Sequence, residues 1–311
     1  QPMPNLLRPL LANAIALLVS LACPAATLAG ELFASTYQAP ETDARLFVDV
    51  HIYSGTGVEE QSTQVLIVNG KIQQMGTNII APTAQVLDGA GRWLTPGIID
   101  VHSHMGDYPA PAIAATRDGN EATAPNTAQV WAEHSVWPQD PQFALALAGG
   151  ITTLQVLPGS ANLFGGRGVT LKNVASRTVQ GMKYPGAKQG LKMACGENPK
   201  RVYGSKGQAP STRMGNVAGY REACAKATDY QRKVKAHDQD ATKPLPDRDL
   251  TMETLVGVLE GEIIVHNHCY RADEMANMID VAREFGYQIG TFHHAVESYK
   301  FADQLAQENI C

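Results

Sequence analysis

Apolar positions fall into three regimes along the 311 residues. After Arg8 a mostly apolar run extends from Leu10 to about Cys23, broken by Asn13 and Ser20, and ends in the small-residue segment Ala25–Ala29. From Arg45 to Leu94 apolar and polar residues alternate with the period of a half-buried strand. Phe47–Tyr53 and Gln64–Val68 are the clearest runs, and the second meets Lys71–Met75 across Asn69-Gly70, a dipeptide suited to a tight hairpin turn. Beyond Pro96 short apolar runs alternate with helically spaced ones. The predicted strands are Ile98–Val101, Ile151–Leu157, Gly168–Val174, Gly190–Cys195, Gly261–His266 and Tyr287–His294. The predicted helices are Pro138–Ala148, closed by Gly149-Gly150, then Ala272–Phe285, with Met275, Met278, Ile279 and Ala282 on one face, and Ser298–Glu308.

Repeated βα units with polar chemistry at strand C-termini predict an α/β fold, a (β/α)8 TIM-type barrel whose site lies at that face, preceded by a small β-sandwich portion. A doubly wound sheet is the alternative. The chain therefore divides into residues 1–29, 30–95 and 96–311. The first segment reads as a secretory signal peptide cleaved after Ala29, with a retained anchor as the other reading. Export predicts a periplasmic or secreted protein without stable membrane insertion after cleavage.

Composition narrows the partners. With a formal charge of −5, 18% charged residues and no basic run interleaved with aromatics, nucleic acid is not an expected partner, and small neutral or charged molecules remain open as ligands. Outside the signal, Cys195, Cys224, Cys269 and Cys311 form no Cys-x-x-Cys pair, so one disulfide and buried free thiols are both open. Homo-oligomerisation is open as well.

The candidate chemistry sits at predicted strand ends. His102 and His104 follow Ile98–Val101 at i and i+2, so they share a face about 7 Å apart along the backbone and can close on one divalent ion. Ordinary histidines near a strand end would give the same spacing. His266 and His268 repeat the geometry, and His293 and His294 end the sixth strand, where alternation allows one of the two to face inward. Glu197, just past the fourth strand, can bridge two metals or complete one coordination sphere, or it is a surface acid. His51 reads as structural, and His134 and His237 as solvated. The run Gly165-Gly166-Arg167-Gly168 lacks the ending of a phosphate loop and reads as a turn. Arg221–Lys235 mixes charges as a solvated helix face does.

Taken in order, these segments resemble the metal-dependent amidohydrolase superfamily, and within it the imidazolonepropionase-like group. The likeness is carried by Thr95-Pro96-Gly97, His102-Ser103-His104, Gly150-Ile151-Thr152-Thr153, Pro158-Gly159-Ser160-Ala161-Asn162, Gly196-Glu197-Asn198-Pro199-Lys200 and His268-Cys269-Tyr270-Arg271-Ala272-Asp273. It implies one or two divalent ions, zinc by preference, held by His102, His104, Glu197, His268 and His294. His268 is favoured over His266 by its place four residues before Ala272. Lys192 and Lys200 are secondary candidates for a modified bridging lysine, and Tyr203, Tyr270 and Arg271 for contacts to a substrate carboxylate. Metal-activated water would then hydrolyse an amide or cyclic amide C–N bond. The relatives' general-base aspartate follows an eighth strand, so it is expected beyond Cys311; Asp273 and Asp303 lie in predicted helices and do not replace it. Residues 1–311 by themselves are accordingly expected to be inactive, a barrel of about six βα units with exposed edges. A non-catalytic ligand-binding relative, a metallo-dipeptidase and a deaminase are the alternatives.

Overall fold

The computed structural model describes residues 33–57 and 59–311, and the expected signal peptide lies outside the described residues. Four strands, β1 (Arg45–Tyr53), β2 (Glu59–Val68), β3 (Lys71–Gly76) and β4 (Gln85–Leu94), pair in the order β3-β2-β1-β4. The expected hairpin is there: Val68 pairs with Lys71, and Asn69 and Gly70 both take positive φ, 50° and 71°, the conformation of a type I′ turn. A bulge at Asp49, φ 50°, shifts the register within β1. Leu46 accordingly packs with Leu66 and Ile79, whereas Val50 and Ile52 pack with Val65 in a separate cluster. Where a β-sandwich portion is expected over residues 30–95, the described residues form one four-stranded hydrogen-bonded sheet. Val86 and Trp93 on β4 remain more than half exposed.

The second sheet contains β5 (Ile98–Ser103), β6 (Ile151–Val156), β7 (Phe164–Lys172), β8 (Gly190–Ala194), β9 (Ile264–Cys269) and β10 (Ile289–His294), hydrogen-bonded in sequence order. β5, β6, β8, β9 and β10 run parallel, and β7 is antiparallel to both of its neighbours. Six βα units are therefore not present, because no helix separates β6 from β7 or β7 from β8 other than one 3-10 turn, Val179–Gly181. The reason is chain length. The seven residues 157–163 cannot carry the chain back across the sheet, since a parallel crossover needs about a dozen or more. The glycine run expected to be a turn lies inside β7, where a Cβ on Gly166 would stand 2.6 Å from the Val130 carbonyl oxygen, so glycine lets segment 126–131 lie against the strand.

The sheet curls. His102 on β5 and His293 on β10 stand at opposite ends of the pairing order, yet their ring centroids are 4.4 Å apart. The edge strands thus face each other across a nearly closed mouth. Helices α1 (Pro141–Ala148), α2 (Glu197–Gly204), α3 (Arg213–Gln239), α4 (Leu250–Leu259), α5 (Ala272–Phe285) and α6 (Ala302–Gln307) complete the unit. The main core joins Tyr220 and Cys224 of α3 and Leu255 of α4 to Met275, Met278 and Ile279 of α5 and to Phe292 of β10. The charged residues of α3 lie outside, as in the Arg221–Glu284 and Lys226–Glu222 pairs. Among the described residues no helix is long and apolar enough to cross a membrane. Ile98, Ile99 and Val101 on the edge strand β5 are more than half exposed.

One buried carboxylate fixes the way the chain leaves β5. Asp140 caps α1 by accepting from Gln142 N (3.0 Å), and it also accepts from Gly106 N (3.0 Å) and Ala110 N (3.3 Å) of the segment that follows His104. Asp140→Ala removes the cap and leaves two loop amides unpaired, so it is expected to cost about 2–4 kcal/mol in equilibrium unfolding by denaturant. Met214→Ala, at an exposed position of α3, is expected to stay within about 0.5 kcal/mol of the parent protein.

Candidate metal centre

At the C-terminal ends of the parallel strands the histidines converge. His102 and His104 are 5.0 Å apart between ring centroids, His102 and His294 4.8 Å, and His268 and His294 4.5 Å. Thus His102, His104, His268 and His294 share one cluster, together with His293. Both residues of the β10 pair face inward, against the alternation that reserved this for one of them. His294 has φ 68°, and this left-handed turn at the strand end brings its ring back toward the mouth.

Glu197 does not join them. Gly196, φ 72°, ends the run from β8, and Glu197 opens α2 with its side chain exposed. The next residue points in, and the Asn198 amide donates to His268 Nε2 (3.2 Å). The charged side chain that does lie within the cluster's reach is Lys192. It is fully buried on β8, register partner of His266, and donates to the Pro158 carbonyl at 3.0 Å. A lysine in the otherwise apolar run Leu191–Ala194 is itself a signal, since buried lysines are rare unless paired. Lys200 lies on α2, Tyr203 donates to the Ala124 carbonyl and Arg271 pairs with Asp273. Tyr270 does reach the cluster, packing edge-on against His268.

Hydrogen bonds fix most of the tautomers. His104 Nδ1 donates to the Leu157 carbonyl (2.7 Å), which leaves Nε2 as the lone-pair nitrogen. His268, accepting from Asn198 at Nε2, donates from Nδ1 to Ser160 Oγ (2.8 Å). His266 accepts from the Gln155 amide at Nε2 (3.0 Å) and donates from Nδ1 to His293 Nε2 (3.0 Å). Both ring nitrogens of His266 are thereby engaged within the protein, as are both of His268. His102 Nε2 is buried and has no partner.

Electrostatics keep these rings neutral. Burial, with the Lys192 amine and the neighbouring imidazoles next, holds His102 down at about 2. Burial followed by other rings and Lys192 lowers His268 and His293 to about 3, and His104 and His294 shift the same way. Burial alone brings Lys192 to about 7. Among the described residues no three His, Cys, Asp or Glu side chains are posed to hold an ion as they stand. The donor set nevertheless suits a divalent cation of borderline softness: several neutral imidazoles, one buried nitrogen without a partner, and neighbouring hydrogen bonds that orient the rings.

The remaining histidines are peripheral. His51 stacks on Trp93, His134 stacks on Trp131, and the exposed His237 bonds the Lys243 carbonyl.

No model of a known protein family matches the chain. Amidohydrolase tasK of Hapsidospora irregularis is 33% identical over 258 residues, 76% of this chain and 26% of that protein. Imidazolonepropionase of Idiomarina loihiensis is 46% identical over 54 residues, 16% of this chain and 13% of its own length. The crystal structure of an amidohydrolase from Thermotoga maritima MSB8 matches with a TM-score of 0.80 at 39% identity, covering 86% of this chain and 68% of that one. The chain belongs to the amidohydrolase superfamily. It spans about a quarter of the length of Amidohydrolase tasK.

Beside His268, Cys269 is disulfide-bonded to Cys195, Cα–Cα 5.2 Å, so the ends of β8 and β9 are tied together behind the cluster. Cys224 and Cys311 are free. Alkylation in denaturant without reductant, followed by peptide mass spectrometry, should label Cys224 and Cys311 and spare Cys195 and Cys269. The double variant Cys195→Ala/Cys269→Ala should lose about 4 kcal/mol in chemical denaturation, as expected for a loop of 74 residues.

Proposed function

We propose that the whole protein, of which these residues are the described part, hydrolyses amide or cyclic amide C–N bonds with one or two divalent metal ions, zinc by preference. The observation that carries this reading is the convergence of imidazoles from three separate strands around the unpartnered Nε2 of His102. His102, His104, His268 and His294 would hold the metal. Lys192 takes the part first given to Glu197: its amine, adding carbon dioxide and releasing a proton, would become a carbamate and supply the carboxylate that the cluster lacks.

When bound, the ion would supply Lewis acidity and bring the pKa of water down toward about 7. The chain's own residues provide the rest of the arrangement. The Leu157 carbonyl and Ser160 fix the faces that His104 and His268 present, and Tyr270 closes one side of the cluster. The same reading has the protein exported, and the Cys195–Cys269 disulfide supports it, since such bonds persist in oxidising compartments.

The test is elemental analysis of the full-length protein together with hydrolysis assays on dipeptides, lactams and aminated heterocycles. Expected are one or two equivalents of metal, activity that chelation abolishes and metal restores, and a loss of at least about 100-fold in kcat/KM for His102→Ala or His268→Ala. Lys192→Ala should lose metal as well, with partial rescue by short carboxylic acids. Full activity after exhaustive chelation would refute the proposal. Deamination without amide hydrolysis would keep the metal and replace the substrate class.

A further inference from the structure

Beside the histidine cluster a cavity of about 520 Å³ opens between segments 107–121 and 129–135. Its polar lining includes Asp107, Asp118, Glu121, Arg117 and Ser135, so carboxyl groups outnumber the one guanidinium three to one. Asp118, Glu121 and Arg117 are exposed at the rim, whereas Asp107 is 1% exposed. Asp107 Oδ1 accepts from the Ser135 hydroxyl at 3.0 Å, and Oδ2 has no partner. Burial first, and then the like charge of Asp118, raise its carboxyl to about 8, so a cation beside it is what would hold it ionised. A buried carboxylate oxygen left without a donor costs about 1–3 kcal/mol or more, so a ligand that brings the donor recovers that energy.

An ammonium or guanidinium group answers both needs at once, with N–H donors for Oδ2 and positive charge for the acidic rim. We propose that this cavity binds the ammonium or guanidinium group of an organic cation, seated on Asp107 with Asp118 and Glu121 around its mouth.

The cavity is one residue layer from the candidate reaction centre. Asn120 and Pro158 line it; the Asn120 amide donates to the Tyr108 hydroxyl, and the Tyr108 ring packs on His104. Pro158 in turn accepts from Lys192. Resting on the hydrolase reading, this placement makes the bound cation the basic side chain of an amide substrate.

The probes are butylguanidine and its uncharged counterpart of the same shape, butylurea, titrated calorimetrically into the full-length, metal-loaded protein. Saturable 1:1 binding of butylguanidine is expected, at least about tenfold tighter than butylurea, with the difference erased in Asp107→Asn. Should Asp107→Asn fail to fold, Asp118→Asn/Glu121→Gln on the exposed rim is expected to weaken butylguanidine several-fold and leave butylurea unchanged. Equal affinity of the two probes for the parent protein, or an undiminished preference in Asp107→Asn, overturns the assignment. Butylguanidine preference in a protein that hydrolyses no amide would overturn the hydrolase reading and leave the cavity assignment standing. Amide hydrolysis with equal probe affinities would do the reverse.

Discussion

A primary amine buried with no opposite charge is the constraint on which this site depends. Lys192 is wholly out of solvent, and its hydrogen-bond partner is the neutral Pro158 carbonyl. An ammonium in that position would face several kcal/mol of desolvation without repayment, and neighbouring imidazolium ions would add repulsion. Burial therefore favours the uncharged form of the lysine and of the histidines alike. Uncharged nitrogen is also the form that donates a lone pair, so the condition that makes the interior tolerable is the one that suits a cation.

The wider fold delivers these groups through chain geometry. Five parallel strands present their C-terminal ends at one mouth, and curling brings the first and last of them into contact through His102 and His293. Asp140 then holds the segment leaving β5, and Asn162 ties the loop after β6 to it by donating to the carbonyls of Glu121 and Ala124. Both the histidine cluster and the cavity beside it thus rest on buried polar side chains that anchor loop backbone, a role in which each lost partner is expensive.

What the sequence made legible was what depends on local period. Strand alternation placed His102 and His104 on one face, Asn69-Gly70 specified its turn, and the helical spacing of Met275, Met278 and Ile279 marked the core face of α5. What it hid depends on single backbone angles and on long-range pairing. Gly196 at φ 72° turns Glu197 onto a helix surface and passes the inward position to Asn198, while His294 at φ 68° defeats alternation at the end of β10. The reversal of β7 was readable from loop length, but the glycines that open the strand read as a turn. Asp107, distant in sequence from Ser135, could be recognised as an unsatisfied carboxylate only once the loops were assembled.

The reversed strand sets one part of the rim apart from the others. A segment joining a strand to a helix can gain or lose residues with little effect on the wall beneath it. The piece between β6 and β7 has both ends bound into a single antiparallel ladder, from Val156–Val169 to Thr153–Lys172, which fixes where both of its ends stand. It also carries Pro158 and Ser160, which touch Lys192 and His268. Residues 157–163 thereby form a fixed sill of the mouth, against which the long excursion after β5 is laid through Asn120 and the Asn126–Phe164 bridge.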